Sequence, residues 1–152
     1  METIKKSVEV LNDLIEINND RIAGFQHASK GLEANNADLK IIFGNLVSES
    51  RKNVQELTAK ISRIGGEAET GSSRTGAIHL AWLDVKATFS GHDRESILAE
   101  CERGEDAIKK AYKDALKTDN GLPLGVDRIV VQQREYIIAA HDKIKFLREK
   151  QA

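Results

Sequence analysis

The sequence predicts an all-α protein, and three observations support that prediction. Pro123 is the single proline, and a proline inside a helix would remove a backbone hydrogen bond. Leu, Ile, Ala, Glu and Lys, which favour helices, are abundant, whereas aromatic residues make up only 5% of the chain. No stretch shows the sustained alternation of apolar and polar residues that is typical of strands.

The composition limits the class of protein. The chain has 152 residues and a formal net charge of −1, so we expect residues 1–152 to form one domain. The even charge distribution argues against nucleic acid or an anionic membrane as a partner. No apolar run approaches the roughly 18–20 residues of a membrane span. The lone Cys101 cannot form an internal disulfide, and "METIKKSVEVLNDLIE" lacks the core of a signal peptide. We therefore expect a cytoplasmic protein.

Apolar residues at steps of three and four predict two long helices in the first half of the chain. The first is expected from about Thr3 to Gly31. The second is expected to begin after Asn36 as N-cap and to end near Ile64, before Gly65 and Gly66. Their apolar stripes are Ile4, Val8, Leu11, Ile15, Ile22 and Phe25, then Leu39, Ile42, Leu46, Leu57 and Ile64.

The second half of the sequence predicts one shorter helix and two further long helices. After the stretch "GGEAETGSSRTG", a short helix is expected at about Ser73–Phe89. The third long helix follows Asp93 as cap and reaches about Lys117, and the fourth spans about Val126–Glu149. Their stripes are Ile97, Cys101, Ile108, Tyr112 and Ala115, then Val126, Val130, Ile137, Ala140, Ile144 and Leu147.

The connections predict how these helices are arranged. Short turns join the first helix to the second and the third to the fourth, so each pair is expected to be antiparallel. Residues 65–92 are long enough to travel the length of the bundle, so the third helix would start where the second started. This four-helix bundle with one long crossover is the ferritin-like arrangement.

Glu105 raises a question, because this carboxylate lies on the apolar stripe of the third helix. Aligning the helices by their turns brings it level with polar residues that point inward from the other three. We therefore predict a polar layer in the middle of the bundle. Its members are Asn18, Ser50, Asn53, Glu105, Gln133 and Tyr136.

Two interpretations of this layer differ in their chemistry. A ferritin-like di-iron site takes a Glu from each of two helices and a Glu-x-x-His pair from each of the others. Here one carboxylate remains and no imidazole points inward, so the layer is degenerate as an iron site. The structural interpretation is a hydrogen-bonded layer that fixes helix register. It requires Asn18, Asn53, Gln133 or the Tyr136 hydroxyl to satisfy Glu105, which alone would be costly to bury.

Several motifs resemble those of an uncharacterised bacterial family, a domain of unknown function in the ferritin-like superfamily. They are "LNDLIE", "GF" at residues 24–25, "GAIHLAWLDVKATFSG", "ECERGEDAIKKAYKDAL" and "AAHDKIKFLR". The resemblance covers nearly the whole chain, and the motif beginning at Glu100 is its most specific part. It implies the ferritin-like fold, and it implies no activity or catalytic residue.

Alternatives remain open beside the structural interpretation. His141 is predicted at the edge of the bundle, near Glu100 or Glu102. A weak site for iron, manganese or zinc could therefore use Glu102, Glu105 and His141. Another option is a cavity beside the polar layer for a small apolar or anionic ligand. Leu14 and Ile17 are expected off the main stripe, covered by the crossover helix or by a second copy in a homodimer.

Taken together, the sequence favours a non-catalytic protein with a structural or binding role and without a cofactor. The alternative is a metal-binding oxidoreductase or metal-storage protein. Cys101 is expected to be a small core residue rather than a nucleophile, because burial opposes thiolate formation. The partner, whether a protein or a small molecule, is not predicted.

Overall fold

A computed structural model describes residues 2–32, 36–67, 94–117, 122 and 125–151. Within those ranges it contains four long helices and no strand. They are α1 (Glu2–Lys30), α2 (Ala37–Arg63), α3 (Arg94–Ala115) and α4 (Val126–Gln151). These bounds lie close to the predicted ones. The predicted short helix Ser73–Phe89 and the predicted cap Asp93 lie outside the described residues.

Contacts between helix ends establish the directions of the helices. Arg94, at the start of α3, donates to Asn36 and Asp38 at the start of α2, with Nη1 to Oδ1 distances of 3.1 and 2.9 Å. These two helices therefore begin at the same end of the bundle and run parallel. The start of α4 lies at the opposite end, because a Cβ on Gly125 would come within 2.9 Å of Lys60 Nζ near the end of α2. The predicted long crossover between α2 and α3 is required by these directions.

The core is formed by one stripe from each helix, with members spaced alternately three and four residues apart. Along α1 this stripe runs through Leu11, Leu14, Phe25 and Ala28, all of them buried. Burying one large apolar side chain contributes about 1.5–3 kcal/mol, so these stripes supply most of the driving force for assembly. The other three helices contribute Leu39, Phe43, Leu46, Leu57, Ile61, Ile97, Leu98, Cys101, Ile108, Tyr112, Val126, Val130, Ile137 and Ile144.

The two ends of α2 are formed differently. At the C-terminal end Gly65 has φ +88°, and Gly66 N–H donates to Ile61 O at 2.9 Å. This is the glycine-terminated ending that the sequence predicts. Asn36 occupies the N-cap position, but its side chain makes no capping hydrogen bond. Its amide oxygen instead accepts from Arg94, so the predicted capping role of the Asn36 side chain is wrong.

Two expectations about α1 also need correction. Ile4 was expected to face inward, but it is 46% exposed. Leu14 belongs to the main stripe, and both Leu14 and Ile17 are buried within the single chain. Their burial therefore does not require a second copy. None of the helices in the described ranges combines the length and apolarity needed to cross a membrane.

Candidate functional site

Halfway along the bundle, the inward stripe of each helix changes from apolar to polar. On α1, the residues between Leu14 and Phe25 on this stripe are Asn18 and Arg21, and neither is measurably exposed. The stripes of α2, α3 and α4 contribute further buried polar residues at the same level. They are Ser50, Asn53, Glu105 and Gln133.

Arg21 and Glu105 form the centre of this layer. The guanidinium donates from Nε to Glu105 Oε1 and from Nη2 to Oε2, and both distances are 2.8 Å. Both side chains are completely buried. This two-pronged geometry matches the planar fork of arginine to the carboxylate and uses both oxygens of Glu105.

The remaining arm of Arg21 reaches α2. Its Nη1 donates to Glu49 Oε1 at 2.8 Å and to Ser50 Oγ at 2.9 Å. Burial opposes the charge of the guanidinium, but Glu105 and Glu49 outweigh this effect and raise the pKa of Arg21 above its ordinary value. For Glu49, burial is the larger influence and raises its pKa, while Arg21 acts in the opposite direction.

A second, uncharged part of the layer is organised by Asn18. Its Oδ1 accepts from Ser50 Oγ at 2.9 Å and from Asn53 Nδ2 at 3.1 Å. Its Nδ2 donates to the Leu14 backbone oxygen and to the Tyr112 hydroxyl, each at 2.8 Å. All four of these hydrogen bonds are buried, so Asn18 links α1 to both α2 and α3.

Tyr112 and Gln133 complete the connection to α4. The Tyr112 hydroxyl donates to Gln133 Oε1 at 2.7 Å. Gln133 Nε2 donates in turn to the Asn53 backbone oxygen at 3.3 Å and to Glu56 Oε1 at 3.1 Å. Burial raises the pKa of Tyr112, so the hydroxyl stays protonated and able to donate. One continuous hydrogen-bond network therefore joins all four helices.

The structure brings five of the six residues predicted for the polar layer into this network: Asn18, Ser50, Asn53, Glu105 and Gln133. Tyr136 is the exception, because it is 50% exposed and lies beside the buried stripe of α4. The partner expected for Glu105 was also wrong. Arg21, rather than an amide or the Tyr136 hydroxyl, satisfies that carboxylate.

Sequence reasoning missed Arg21, although a signal for it was present. Counting from Leu11 in alternating steps of three and four passes through Leu14, Asn18, Arg21 and Phe25. Arg21 thus occupies a core position by its spacing alone. Other buried polar residues of α1 were also not singled out: Ser7, Asn12, Glu16 and Asp20.

The three residues of the alternative metal site do not converge. Glu105 binds Arg21, and Glu102 accepts from Arg148 Nε at 2.6 Å. His141 Nε2 lies 2.6 Å from Asp106 Oδ1, so its expected contact with Glu100 or Glu102 was wrong. In the described ranges, no group of three or more His, Cys, Asp or Glu side chains is placed to hold a metal ion.

A half-open cavity of about 320 Å³ lies next to the network, on the side of α2 that faces α4. Six residues of α2 and Tyr136 of α4 line it. Its lining includes Glu49, Asn53 and Glu56 from the network, with Lys52 and Tyr136 nearer the surface. A cavity for an apolar or anionic ligand was one of the alternatives that the sequence left open beside the polar layer. The two carboxylates in the lining outnumber its one cation, Lys52, so an anion is a poor match.

Cys101 is completely buried on α3. Burial, and secondarily the charge of Glu105, raise the pKa of the Cys101 thiol well above its ordinary value. The thiol is therefore protonated at neutral pH and packs as a small core side chain.

The arrangement of the helices defines the class of protein, an all-α ferritin-like four-helix bundle. A mutant of Dps1 from Mycobacterium smegmatis aligns with a TM-score of 0.78 and 10% identity over 97% of both chains. A ferritin-like, diiron-carboxylate protein from Bacillus anthracis strain Ames aligns with a TM-score of 0.72 and 19% identity over 97% of this chain and 99% of that one. A dodecameric thioferritin, the bacterioferritin-related protein from Bacteroides fragilis, aligns with a TM-score of 0.64 and 14% identity over 97% of this chain and 84% of that one.

Within that class, the chain belongs to the family described as Domain of unknown function (DUF2383), whose profile matches residues 6–118. The matched range includes every network residue on α1, α2 and α3. No curated protein matches the sequence. The similarity to the three solved structures establishes the fold alone, because identity is 10–19%.

Proposed function

We propose that this protein is a non-catalytic ferritin-like bundle with a structural or binding role. The observation that supports the proposal is the buried pair of Arg21 and Glu105, in which a guanidinium lies in the middle of the bundle. Polar groups at core positions restrict helices to one register, because any other register leaves them without partners. The network joining four helices suits that role.

The donor set of this layer does not fit a di-iron centre. Ferritin-like di-iron sites use several carboxylates and two histidines. Here Glu105 is the fully buried carboxylate of the layer, and both of its oxygens are bound to Arg21. Glu49 and Glu56, at the side of the network, each have one oxygen bonded to Arg21 or to Gln133. The remaining groups are neutral amides and hydroxyls, which are poor iron ligands. A fixed guanidinium would also repel a divalent cation placed beside it.

The competing function is a metal-binding oxidoreductase or a metal-storage protein. It is favoured by similarity to a structure described as a diiron-carboxylate protein. In this chain that function would require Glu105 to exchange Arg21 for a metal. It would also require Glu102 or His141 to leave its present partner.

Metal analysis of protein purified without chelator tests the proposal. We expect wild type to hold far less than one iron, manganese or zinc ion per chain, and Glu105→Ala to lower the unfolding midpoint without changing metal content. Glu135→Ala, which removes a carboxylate at an exposed position of α4, is the matched control. Stoichiometric iron or manganese that is lost on Glu105→Ala or on the milder Glu105→Gln would overturn the proposal.

The cellular setting is part of the same proposal. We place the protein in the bacterial cytoplasm, because its one cysteine is buried as a thiol and forms no disulfide that an oxidising compartment would favour. A homodimer is proposed as its assembly, supported only by exposed apolar residues on the outer surface such as Ile41 and Phe146.

A further inference from the structure

The half-open cavity on the side of α2 that faces α4 has the size of a small-molecule site. Its volume of about 320 Å³ corresponds to roughly ten water molecules. It lies at the low end of the range of about 300–1,000 Å³ that is typical of ligand sites. A single dehydrated metal ion would leave most of this space unfilled.

The hydrogen-bond network fixes which atom Asn53 presents to the cavity. The Leu14 backbone oxygen can only accept, so the atom of Asn18 that contacts it must be Nδ2. Asn18 Oδ1 therefore faces Asn53, which must turn its own Nδ2 toward Asn18. This leaves Asn53 Oδ1 directed away from Asn18.

Asn53 Oδ1 is thus an acceptor that the described part of the protein leaves without a donor. Asn53 is 2% exposed and lines the cavity. No residue in the described part of the chain donates a hydrogen bond to its Oδ1. Because this oxygen is accessible from the cavity rather than sealed in the core, a ligand that brings an N–H or O–H group can donate to it there.

Two carboxylates flank Asn53 on the same face of α2. Glu49 precedes it by four residues and Glu56 follows it by three, so all three line one stripe of the helix. Glu49 Oε1 accepts from Arg21, and Glu56 Oε1 accepts from Gln133. Among the described residues no donor is assigned to the second oxygen of either carboxylate. The cavity therefore presents three acceptors along one wall.

The charges around the cavity favour a cation. The described charged residues around it and in the adjoining network are Arg21, Lys52, Glu49, Glu56 and Glu105, which sum to a formal charge of −1. One monovalent cation would neutralise that charge. The exposed ring of Tyr136 lies at the rim, where its face can attract a cation.

We propose that this cavity binds a small organic primary ammonium ion. An R–NH3⁺ group has three N–H donors, which match the Asn53 amide oxygen and the second oxygens of Glu49 and Glu56. Its organic part would fill the volume that a bare ion leaves empty. The inference does not depend on the proposed function, because the cavity can bind an amine whether or not the protein holds a metal elsewhere.

Titration followed by two-dimensional NMR of the uniformly ¹⁵N-labelled chain tests this inference. The probes are n-butylamine, tetramethylammonium, butyrate and calcium chloride at constant ionic strength and pH. We expect n-butylamine alone to give saturable shifts in the Asn53 side-chain NH2 and in the backbone amides of residues 49–56. Tetramethylammonium has the same charge but no N–H, so it separates hydrogen bonding from charge attraction.

Two variants should change the affinity for n-butylamine in opposite directions, which a non-specific interaction would not do. Glu56→Gln should weaken n-butylamine binding about tenfold, because it removes a charge-assisted acceptor. Lys52→Gln should strengthen binding by removing a competing cation. Glu9→Gln, at an exposed position of α1 outside the cavity, should change nothing. An unchanged unfolding midpoint for each variant shows that the fold is intact.

Several results of these titrations would overturn the proposal that the cavity binds an ammonium ion. Absence of saturable shifts with n-butylamine overturns the proposal, as does equal binding of tetramethylammonium. Preferential binding of calcium would assign the cavity to a metal ion, and preferential binding of butyrate would assign it to an anion. An amine affinity that Glu56→Gln leaves unchanged would place binding elsewhere on the chain. The metal analysis is unaffected by any of these results, so the two proposals fail separately.

Discussion

Two glutamates one turn apart on α3 bind arginines in very different surroundings. Glu105 and its partner Arg21 are both completely buried. Glu102 and its partner Arg148 lie at the edge of the bundle, with 13% and 32% of their side chains exposed. Both pairs are hydrogen-bonded, and Arg148 Nε lies 2.6 Å from Glu102 Oε2. The geometry of an ion pair therefore does not by itself indicate its importance.

The difference lies in what replaces a lost partner. At the edge, water and salt can solvate a charge that loses its pair, so such pairs contribute little. In the interior no water is available, and an isolated charge there is costly. The interior pair thus acts mainly as a penalty against every arrangement that separates its members. That penalty is what makes it suited to fixing helix register.

Arg21→Met should produce the largest loss of stability. It keeps a long apolar side chain but removes the cation, which leaves Glu105 buried without a partner and Glu49 with one partner fewer. Breaking a buried pair from one side costs about 3–5 kcal/mol. The free energy of unfolding from urea denaturation measures this directly. A loss below about 1 kcal/mol would mean that the pair is solvated in solution.

Tyr112→Phe tests the uncharged half of the network and should have a smaller effect. It removes the hydroxyl that accepts from Asn18 and donates to Gln133. A buried group left without its partner costs about 1–3 kcal/mol. Urea denaturation again supplies the measurement, and Tyr136→Phe at the half-exposed position is the matched control. Equal losses in the two variants would contradict the network as described.

Glu49→Gln should alter how stability depends on pH. Burial raises the pKa of Glu49 in the folded protein above its ordinary value of 4.5, against the opposing charge of Arg21 and with the charge of Glu105. The folded state therefore holds this proton more tightly than the unfolded chain does. The resulting stabilisation is complete below the ordinary pKa and is lost as pH rises through the folded value.

The variant lacks this titration, so the stability of wild type minus that of Glu49→Gln should decrease as pH rises above the ordinary pKa of 4.5. Urea denaturation at a series of pH values gives this difference, in which titrating groups that do not interact with Glu49 cancel. A difference that stays constant or increases over this range would show that Arg21, rather than burial, dominates at Glu49.

Arg148→Met should have the smallest effect. It removes the edge partner of Glu102, which water can then solvate. We expect an unfolding midpoint close to that of wild type at low salt and indistinguishable from it at 1 M salt, where the screening length falls to about 3 Å. A loss approaching that of Arg21→Met would remove the distinction between the two pairs.

The interior and the edge also differ in how well the sequence predicted them. Spacing placed Glu105, Asn18 and Gln133 inside, because the stripe pattern depends only on helical geometry. Arg21 was missed although its spacing is equally clear. Arginine is seldom fully buried without a partner, and the partner is visible only once the helices are packed. Tyr136 was predicted to point inward together with Gln133, three residues earlier, but the buried stripe of α4 passes through Ile137 instead and leaves Tyr136 half exposed.

At the edge, prediction failed because it depends on register between helices. The assumed alignment of α3 with α4 paired His141 with Glu100 or Glu102, whereas the structure pairs it with Asp106, about one turn away. Stripe patterns are unchanged by such a shift, since each stripe still faces the core. Polar contacts between two particular residues, in contrast, change with such a shift. Apolar spacing therefore predicts the fold, and coordinates are needed for the partners.

Arg21 and Glu105 require each other in the interior of the bundle, where both are completely buried. Urea denaturation of the double variant Arg21→Met with Glu105→Leu tests it most directly, because the double variant leaves no member of this pair as an isolated charge. We expect the double variant to be more stable than Arg21→Met alone, since a buried pair can be replaced by apolar side chains at little cost. Losses that simply add, which would make the double variant the least stable of the set, would contradict it.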